Sequence, residues 1–288
     1  MDIQCVEGIP MSSEFEFREI LVDKDEENKI TTITINRPKK KNTLTLRLLS
    51  EVVEVLDKLK NDRRTRVVVF AGAKMKDPPE GKLPAFSAGA DLTSGLKGID
   101  ITSPHDMSSA FAEIHAKFSA VAQYSKITIA AIDGYAAGGG LEFALCCDLR
   151  IATKRSQFAL PELKLGAIPA GGGTQRLSRL IGMSRAKQMI FCSEYVSAEK
   201  AYEWGLINYL VDLPEFYEKT QEIAKIISKG PPIHQKLVKN AMNLGIEAPL
   251  EVGLKLERDA LGVAVVTKDA QEGLMAFMQR RDPEFKGK

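Results

Sequence analysis

One stretch near the middle of the chain restricts the possible folds more than any other. Residues 130–175 read AAIDGYAAGGGLEFALCCDLRIATKRSQFALPELKLGAIPAGGGTQ. Apolar runs predict strands at residues 127–132 and 149–152, a pattern typical of strands buried on both faces. Between them, three consecutive glycines at 138–140 predict a tight turn, and residues 141–147 predict a short helix. This order of strand, turn, helix and strand predicts an α/β fold.

Two glutamates border the turns of this stretch. Glu142 lies in the first turn of the predicted helix and Glu162 follows Pro161, so 162 − 142 = 20 residues separate them. Backbone N–H groups at a glycine turn and a helix start point at one spot, which binds an oxygen that gains negative charge. Each glutamate taken alone is explained as well by a favourable helix start. The functional interpretation therefore rests on their combination.

Composition excludes some classes of protein. The chain has 40 basic and 38 acidic residues, a formal charge of +2, which argues against a nucleic-acid binder that acts through bulk charge. Four cysteines lack metal-ligand spacing and predict buried thiols in a reducing compartment. The three histidines are scattered, so no metal site is expected. These residues are Cys5, Cys146, Cys147 and Cys192, with His105, His115 and His234.

Three further motifs accompany the central stretch. AFSAGADL occupies residues 85–92, FALPELKLGAIPAGGGTQRLSRLIG occupies 158–182, and TKDAQEGLMAFMQRRDPEF occupies 267–285. With IDGYAAGGGLEFALCCDLRIA, they resemble the signature regions of the crotonase (enoyl-CoA hydratase/isomerase) superfamily. Because the likeness runs from about residue 15 to the end with its motifs in order, the chain is identified as a member.

This resemblance implies a fold and an organisation. It implies a spiral α/β catalytic core of repeated ββα units over residues 13–212, followed by a C-terminal helical region, 213–288, that assembles trimers or dimers of trimers. Residues 1–12 form an N-terminal extension outside the likeness. Residues 75–84, rich in Pro and Lys, form a longer loop than the family usually has, either a surface decoration or a lid.

The resemblance also implies the catalytic residues. The N–H groups of Ala90 and Gly139 would stabilise the thioester oxyanion, Glu142 would hold and activate water, and Glu162 would deliver or remove the α-proton. Retention of both glutamates favours a hydratase, because the isomerases usually need one such carboxylate.

Further positions are expected to contact the acyl-CoA substrate. The segment of Ala88, Gly89, Asp91 and Leu92 would lie against it, with Asp91 more typical of a structural acceptor than of a catalyst. Lys39 opens a basic triplet that the resemblance places beside the nucleotide part of coenzyme A, although a solvated loop is the default explanation of such a triplet. Phe277 and Arg280 would reach coenzyme A from a neighbouring subunit, or form an ordinary amphipathic helix. Leu160 stands where many fatty-acyl hydratases have a polar residue, so a different pocket polarity is expected.

Several functions stay open at this point. The favoured reaction is reversible syn hydration of a 2-enoyl-CoA to a 3-hydroxyacyl-CoA without metal or redox cofactor, coenzyme A being part of the substrate. The alternatives are Δ3-Δ2 isomerisation and dehydration of a short 3-hydroxyacyl-CoA. A different class, an RNA-binding homologue, is suggested by the basic residues at 39–41 and 58–66. A non-catalytic homologue is disfavoured by the intact glutamate pair.

The N-terminal residues and the hydropathy of the chain bear on its location. The N-terminus is acidic and lacks a long apolar run, and no window predicts a membrane span, so a cytoplasmic protein without a membrane partner is expected.

The alternation of apolar and polar residues predicts that the first two strands form a hairpin. Helical periodicity predicts the helices, one of which is expected to have Ser197 as its N-cap and to end at Gly205. The strands are predicted at 15–22, 30–35, 67–71 and 208–211, and the helices at 48–59, 107–124, 176–181, 184–191, 197–205, 214–229, 233–243, 249–265 and 269–280.

Overall fold

The computed structural model describes residues 16–76, 80–91, 100 and 102–288. The strands within these residues are β1 (Ile20–Asp25), β2 (Ile30–Ile35), β3 (Val67–Gly72), β4 (Ala85–Ser87), β5 (Ile127–Ile132), β6 (Tyr135–Ala137), β7 (Leu149–Thr153), β8 (Gln157–Ala159), β9 (Val196–Ser197) and β10 (Tyr209–Val211). The helices are α1 (Leu46–Leu59), α2 (Pro104–Ala122), α3 (Gly139–Leu145), α4 (Gly173–Ile181), α5 (Met183–Phe191), α6 (Ala198–Glu203), α7 (Phe216–Ser228), α8 (Pro232–Gly245), α9 (Leu250–Ala264) and α10 (Lys268–Gln279).

The strands form two sheets that the chain visits alternately. The larger sheet has the order β1-β2-β3-β5-β7-β10, and the smaller has the order β4-β6-β8-β9. The chain passes from β3 to β4 to α2, from β5 to β6 to α3, and from β7 to β8 to α4. Each passage is one strand of the larger sheet, one of the smaller and a helix, which confirms the predicted ββα repeat.

The core lies between the sheets and the helices and supports the start of α3. The ring of Phe143 lies edge-on to Phe70 at 5.0 Å between centroids and to Phe118 at 6.0 Å. Edge-to-face aromatic pairs each contribute about 0.5–1.5 kcal/mol beyond the area they bury. Because Phe143 follows Glu142 in the chain, this packing holds the glutamate in place.

Some predicted boundaries were wrong. Strand β1 begins at Ile20 rather than at residue 15, and it continues into the polar residues 23–25 because these pair with residues 30–32 of β2. Helix α2 begins at Pro104, where Ser103 accepts a hydrogen bond from the N–H of Asp106. The short strands of the smaller sheet were not predicted, since segments of two or three residues carry no periodicity.

Other local predictions are confirmed. Ser197 caps α6 by accepting a hydrogen bond from the N–H of Lys200, and Gly205 has the positive φ of +75° expected at a helix stop. The predicted loop at 75–84 is only partly described, because residues 77–79 lie outside the described ranges, and so do the extension 1–12 and Leu92.

The C-terminal helices carry exposed apolar side chains. Examples in and beside α8, α9 and α10 are Met242 (69% exposed), Val266 (75%) and Phe277 (83%). Helix α8 is joined to the core by Lys239, which donates to Asp148 at 2.7 Å. In the part of the chain that the structure describes, no helix combines the length and apolar character that crossing a membrane requires.

Candidate active site

The glycine turn lies where β6 passes into α3. Gly138 caps the helix with φ 53° and ψ −131°, a conformation that favours glycine, and its N–H donates to the Ala159 carbonyl at 2.9 Å. A Cβ on Gly140 would lie 2.2 Å from the carbonyl oxygen of Ser87. The missing side chains thus allow α3 to start directly against β4.

The segment that contains Ala90 runs beside this turn. A parallel bridge pairs Ala90 with Leu44, and its hydrogen bonds are Leu44 N–H to Gly89 O and Asp91 N–H to Leu44 O, both 2.8 Å. The N–H of Ala90 is not used by this bridge. Asp91 also forms an ion pair with Arg37 at 2.7 Å, and its predicted contact with the substrate stays a prediction.

The two predicted oxyanion donors lie close together. Gly139 is the first residue of α3, so its N–H has no carbonyl partner inside the helix. A Cβ on Gly139 would lie 3.4 Å from the nitrogen of Ala90. The turn and the Ala90 segment therefore bring these two backbone nitrogens close together.

Glu142 is held by a second glycine loop. Glu142 is 4% exposed. Its Oε1 accepts hydrogen bonds from Gly171 N–H at 2.8 Å and from Gly173 N–H at 2.7 Å. Burial raises the pKa of Glu142, although these two donors and the charge of Arg176 act against the rise. A Cβ on Gly171 or Gly173 would lie 2.8 Å from a Glu142 oxygen, so only glycine leaves room for the carboxylate.

Glu162 opens a short 3-10 helix on the other side of the turn. Its Oε2 is buried and has no hydrogen-bond partner among the described residues, and its Oε1 would lie 3.1 Å from a Cβ on Gly138. Burial, followed by the negative charge of Glu142, raises the pKa of Glu162 to about 7, while a hydrogen bond to its own N–H acts against the rise. At about pH 7 the Glu162 carboxyl is therefore protonated in about half of the molecules.

A cavity of about 320 Å³ opens beside Ala88 and Pro161. Lys41 lies on its rim, with Nζ 5.8 Å from the centroid of the Tyr135 ring, and Tyr135 lies edge-on to Tyr195 at 6.0 Å. Lys41 belongs to the basic triplet predicted beside the nucleotide site, whereas Tyr135 and Tyr195 were not predicted to line a cavity. Of the basic triplet, Lys41 and not Lys39 lines this cavity.

Three residues that were predicted to contact coenzyme A lie on the surface. Lys39 is exposed, Phe277 is 83% exposed, and the exposed Arg280 follows α10 with a left-handed φ of 53°. Their predicted contact with coenzyme A stays a prediction. Within the described residues, no group of three or more His, Cys, Asp or Glu side chains is arranged to hold a metal ion.

Comparisons with known proteins agree on one family. A family model for enoyl-CoA hydratase/isomerase matches residues 25–288. A short-chain-enoyl-CoA hydratase from Clostridium acetobutylicum is 35% identical over 269 residues, 93% of this chain and 98% of that protein. The mitochondrial methylglutaconyl-CoA hydratase of Homo sapiens is 36% identical over 269 residues, 91% of this chain and 76% of that protein.

A solved structure gives the same result for the fold. The crystal structure of an enoyl-CoA hydratase from Bacillus anthracis matches with a TM-score of 0.84 and 38% identity, covering 94% of this chain and 100% of that chain. The predicted crotonase-type fold is thereby confirmed, as is the prediction of an enzyme of the enoyl-CoA hydratase type. The chain belongs to the enoyl-CoA hydratase/isomerase family.

Proposed function

We propose that the protein catalyses the reversible syn hydration of a 2-enoyl-CoA to a 3-hydroxyacyl-CoA with two glutamates and a backbone oxyanion hole. The observation that carries this proposal is the placement of two carboxyl groups, Glu142 and Glu162, around one turn that presents the N–H groups of Ala90 and Gly139. The reaction uses no metal or redox cofactor.

The chemistry follows from what each group can do. The thioester oxygen accepts hydrogen bonds from Ala90 and Gly139 and carries the negative charge that develops when water attacks the β-carbon; such a donor contributes about 3 kcal/mol. Glu142 is ionised, orients the water and takes its proton. Glu162 is protonated and gives its proton to the α-carbon, after which the pair again holds one proton.

The long coenzyme A part of the substrate needs a cationic border. The cavity beside Ala88 leads to Lys41, and Lys39 extends the positive charge along the same loop. We further propose a homo-oligomer, a trimer or dimer of trimers, in which Phe277 and Arg280 meet the coenzyme A of a neighbour. The exposed apolar side chains of α8, α9 and α10 support this, because a neighbouring copy would remove them from water. We expect a cytoplasmic enzyme.

The alternative reactions use the same site differently. Δ3-Δ2 isomerisation moves one proton between carbons and needs one carboxylate, so it leaves the buried and doubly hydrogen-bonded Glu142 without a role. Dehydration of a short 3-hydroxyacyl-CoA is the reverse of the proposed reaction. The relatives are named for short-chain-enoyl and methylglutaconyl thioesters, and we take a short acyl group for this protein.

RNA binding is the alternative from a different class. Its basic residues are partly engaged in the protein: Arg66 donates to the Ser228 carbonyl at 2.8 Å, and Lys58 pairs with Glu54 at 2.8 Å. RNA binding that persists in a gel-shift assay at about 0.2 M salt would support this alternative, because nonspecific phosphate contacts weaken steeply there.

The loss of enoyl-thioester absorbance with crotonyl-CoA tests the proposed function. We expect turnover by the unaltered protein and a loss of at least about a thousandfold in Glu142→Ala and in Glu162→Ala, since each removes one of the two proton-transfer groups. Full activity of Glu142→Ala on any enoyl thioester would instead identify a one-glutamate isomerase.

A further inference from the structure

The backbone that carries Ala90 changes the side on which it pairs. The N–H groups of Ala88 and Asp91 both donate to carbonyl oxygens of the loop at residues 37–44, at 3.0 and 2.8 Å. Only alternate residues of a regular strand face the same neighbour, so two such bonds three residues apart require a break in the strand. Gly89, which has a φ of +104°, lies between them and supplies this break.

The break fixes the direction of one N–H group. The carbonyl of Gly89 accepts a hydrogen bond from the N–H of Leu44 in the loop at 2.8 Å. The N–H of Ala90 belongs to the same trans peptide unit, in which C=O and N–H point in opposite directions, so this N–H points away from the loop. A Cβ on Gly139 would lie 3.4 Å from the Ala90 nitrogen, so the glycine turn is next to this peptide unit. The contacts that hold Gly89 and Asp91 on the loop therefore direct the proposed oxyanion donor.

Arg37 joins the loop to the residue after Ala90. Its Nη2 donates to Oδ2 of Asp91 at 2.7 Å, and its Nη1 donates to the carbonyl of Thr43 at 2.7 Å and to the Thr43 hydroxyl at 3.1 Å. The side chains of Arg37 and Asp91 are 17% and 8% exposed, so water competes little for this ion pair. One planar guanidinium group thus fixes Asp91 relative to the part of the loop that pairs with Ala90.

We propose that Arg37 is a positioning residue for the hydration: it keeps the N–H of Ala90 directed at the thioester oxygen by holding Asp91 against the loop. This inference rests on the proposed function, because the oxyanion role of Ala90 belongs to it. The loop then affects the substrate in two separable ways. Arg37 acts on the thioester through the backbone, whereas the Lys41 side chain lines the cavity proposed for coenzyme A.

Two thioesters with the same acyl group separate these effects on the purified full chain. Crotonyl-CoA carries the phosphates of coenzyme A, and S-crotonyl-N-acetylcysteamine lacks them. We expect Arg37→Gln to lower kcat/KM for both thioesters by the same factor, about 10–100-fold, because a displaced donor affects the carbonyl of each. Lys41→Gln should lower kcat/KM more for crotonyl-CoA than for the shorter thioester, because its lost charge acts on phosphates.

A vibrational measurement tests the donor itself. Butyryl-CoA has no double bond to hydrate, and hydrogen bonds to its thioester carbonyl lower the C=O stretching frequency, which a carbon-13 label at the carbonyl identifies. We expect this frequency to fall on binding to the unaltered protein, and the fall to be smaller in Arg37→Gln. Arg37→Lys keeps the charge beside Asp91 but loses the planar fork, so it should show an intermediate fall. If Arg37→Gln does not fold, Arg37→Lys carries the same test.

Arg155→Gln is the matched control, because Arg155 binds Asp133 at 2.6 Å, and Asp133 and Asp91 are both 7% exposed. It removes a similar ion pair and should leave both kcat/KM values and the carbonyl frequency unchanged.

The outcomes separate the two proposals. An unchanged carbonyl frequency in the folded Arg37 variants, or an equal effect of Arg155→Gln, overturns the positioning role while hydration of crotonyl-CoA by the unaltered protein still stands. A loss confined to crotonyl-CoA would assign Arg37 to phosphate binding and would also overturn this role. Failure of the unaltered protein to hydrate crotonyl-CoA overturns the proposed function itself.

Discussion

The two sides of the glycine turn hold the same kind of side chain in opposite ways. On one side Glu142 is almost fully buried and receives two backbone hydrogen bonds through the same oxygen. On the other side Glu162 is less deeply enclosed, but its Oε2 is buried without a partner among the described residues. The first arrangement provides donors for the charged form, and the second leaves the charged form without such support at that oxygen.

In the proposed mechanism, this difference gives two identical carboxyl groups different tasks. The proposed base is Glu142, and the N–H groups of Gly171 and Gly173 hold its carboxyl group in place and favour its ionised form. The proposed acid is Glu162, and burial raises its pKa to about 7, so that it can carry a proton near neutral pH. Substitutions on either side of the turn should therefore have different effects, and loss of an oxyanion donor should have the largest.

The turn that both glutamates share can be altered by removing one N–H group. Gly139 is the first residue of α3, where proline fits the helix, so Gly139→Pro deletes the donor and preserves the helix. We expect kcat for crotonyl-CoA to fall by about 10²–10³-fold, because one oxyanion donor is lost.

Gly139→Ala is the matched control for this change. It adds the same Cβ, whose nearest neighbour would be the Ala90 nitrogen at an ordinary 3.4 Å, but it keeps the N–H. It should lose less than about tenfold in kcat. Equal losses in the two variants would mean that bulk, and not the missing hydrogen bond, explains the result.

The position of Glu142 can be changed through the glycine loop at 171–173 that binds its carboxylate. A Cβ in Gly173→Ala would lie 2.8 Å from Oε1 of Glu142 and 2.9 Å from Leu160, so the carboxylate must move. We expect kcat to fall by about 10–100-fold, as for a catalytic group displaced by a fraction of an ångström to an ångström. Gly262→Ala on α9, where a Cβ meets nothing within 4 Å, should leave kcat unchanged. Unchanged kcat in Gly173→Ala would show that the position of Glu142 is unimportant.

The proton on Glu162 predicts how kcat/KM depends on pH. The proposed reaction starts and ends with one proton on the pair, so the active form of the free enzyme is the singly protonated one in both directions. Above pH about 7 Glu162 loses this proton, so kcat/KM should fall towards tenfold per pH unit for hydration and dehydration alike. In Glu162→Gln this alkaline limb should disappear from any residual activity. A flat profile from pH 6 to 9 in the unaltered protein contradicts the assignment.

The smallest effect concerns stability. The pKa of Glu162 in the folded protein, about 7, is higher than the ordinary 4.5. Ionisation of Glu162 therefore lowers the free energy of unfolding as the pH rises from 4.5 to 7, and the whole loss is present above pH 7. Glu162→Gln should therefore raise the free energy of unfolding by about 2 kcal/mol at pH 8, and by less than half as much at pH 5. Urea unfolding at the two pH values measures the difference.

A control separates this effect from a general gain. Glu203 is an exposed glutamate at the end of α6, and Glu203→Gln should change the free energy of unfolding by no more than about 0.5 kcal/mol at either pH. If Glu162→Gln is no more stable than the unaltered protein at pH 8, burial of the ionised Glu162 carboxylate does not destabilise the folded protein.

Much of the fold was predictable because it repeats locally readable units. The apolar runs of β3, β5 and β7 and the amphipathic period of α1 mark the larger sheet and its covering helix. The smaller sheet was not predictable, since its strands have two or three residues and owe their conformation to pairing across the core. Likewise β1 extends into polar residues only because β2 supplies their hydrogen bonds.

The candidate site shows the same division. Glu142, Glu162 and the turn at 138–140 were found because each belongs to a compact motif. The contributions of Tyr135 and Tyr195 beside Lys41 were not predicted, because the fold brings these residues together from distant segments.

The amino-acid sequence by itself determined the order of strands and helices, the glycine turn and the presence of two carboxyl groups beside it, because these depend on neighbours in the chain. Only the tertiary structure decided that Gly171 and Gly173, 29 and 31 residues after Glu142, bind that glutamate while Oε2 of Glu162 has no such partner among the described residues. Burial and long-range hydrogen bonds set the difference in pKa, and neither is a property of a local sequence pattern.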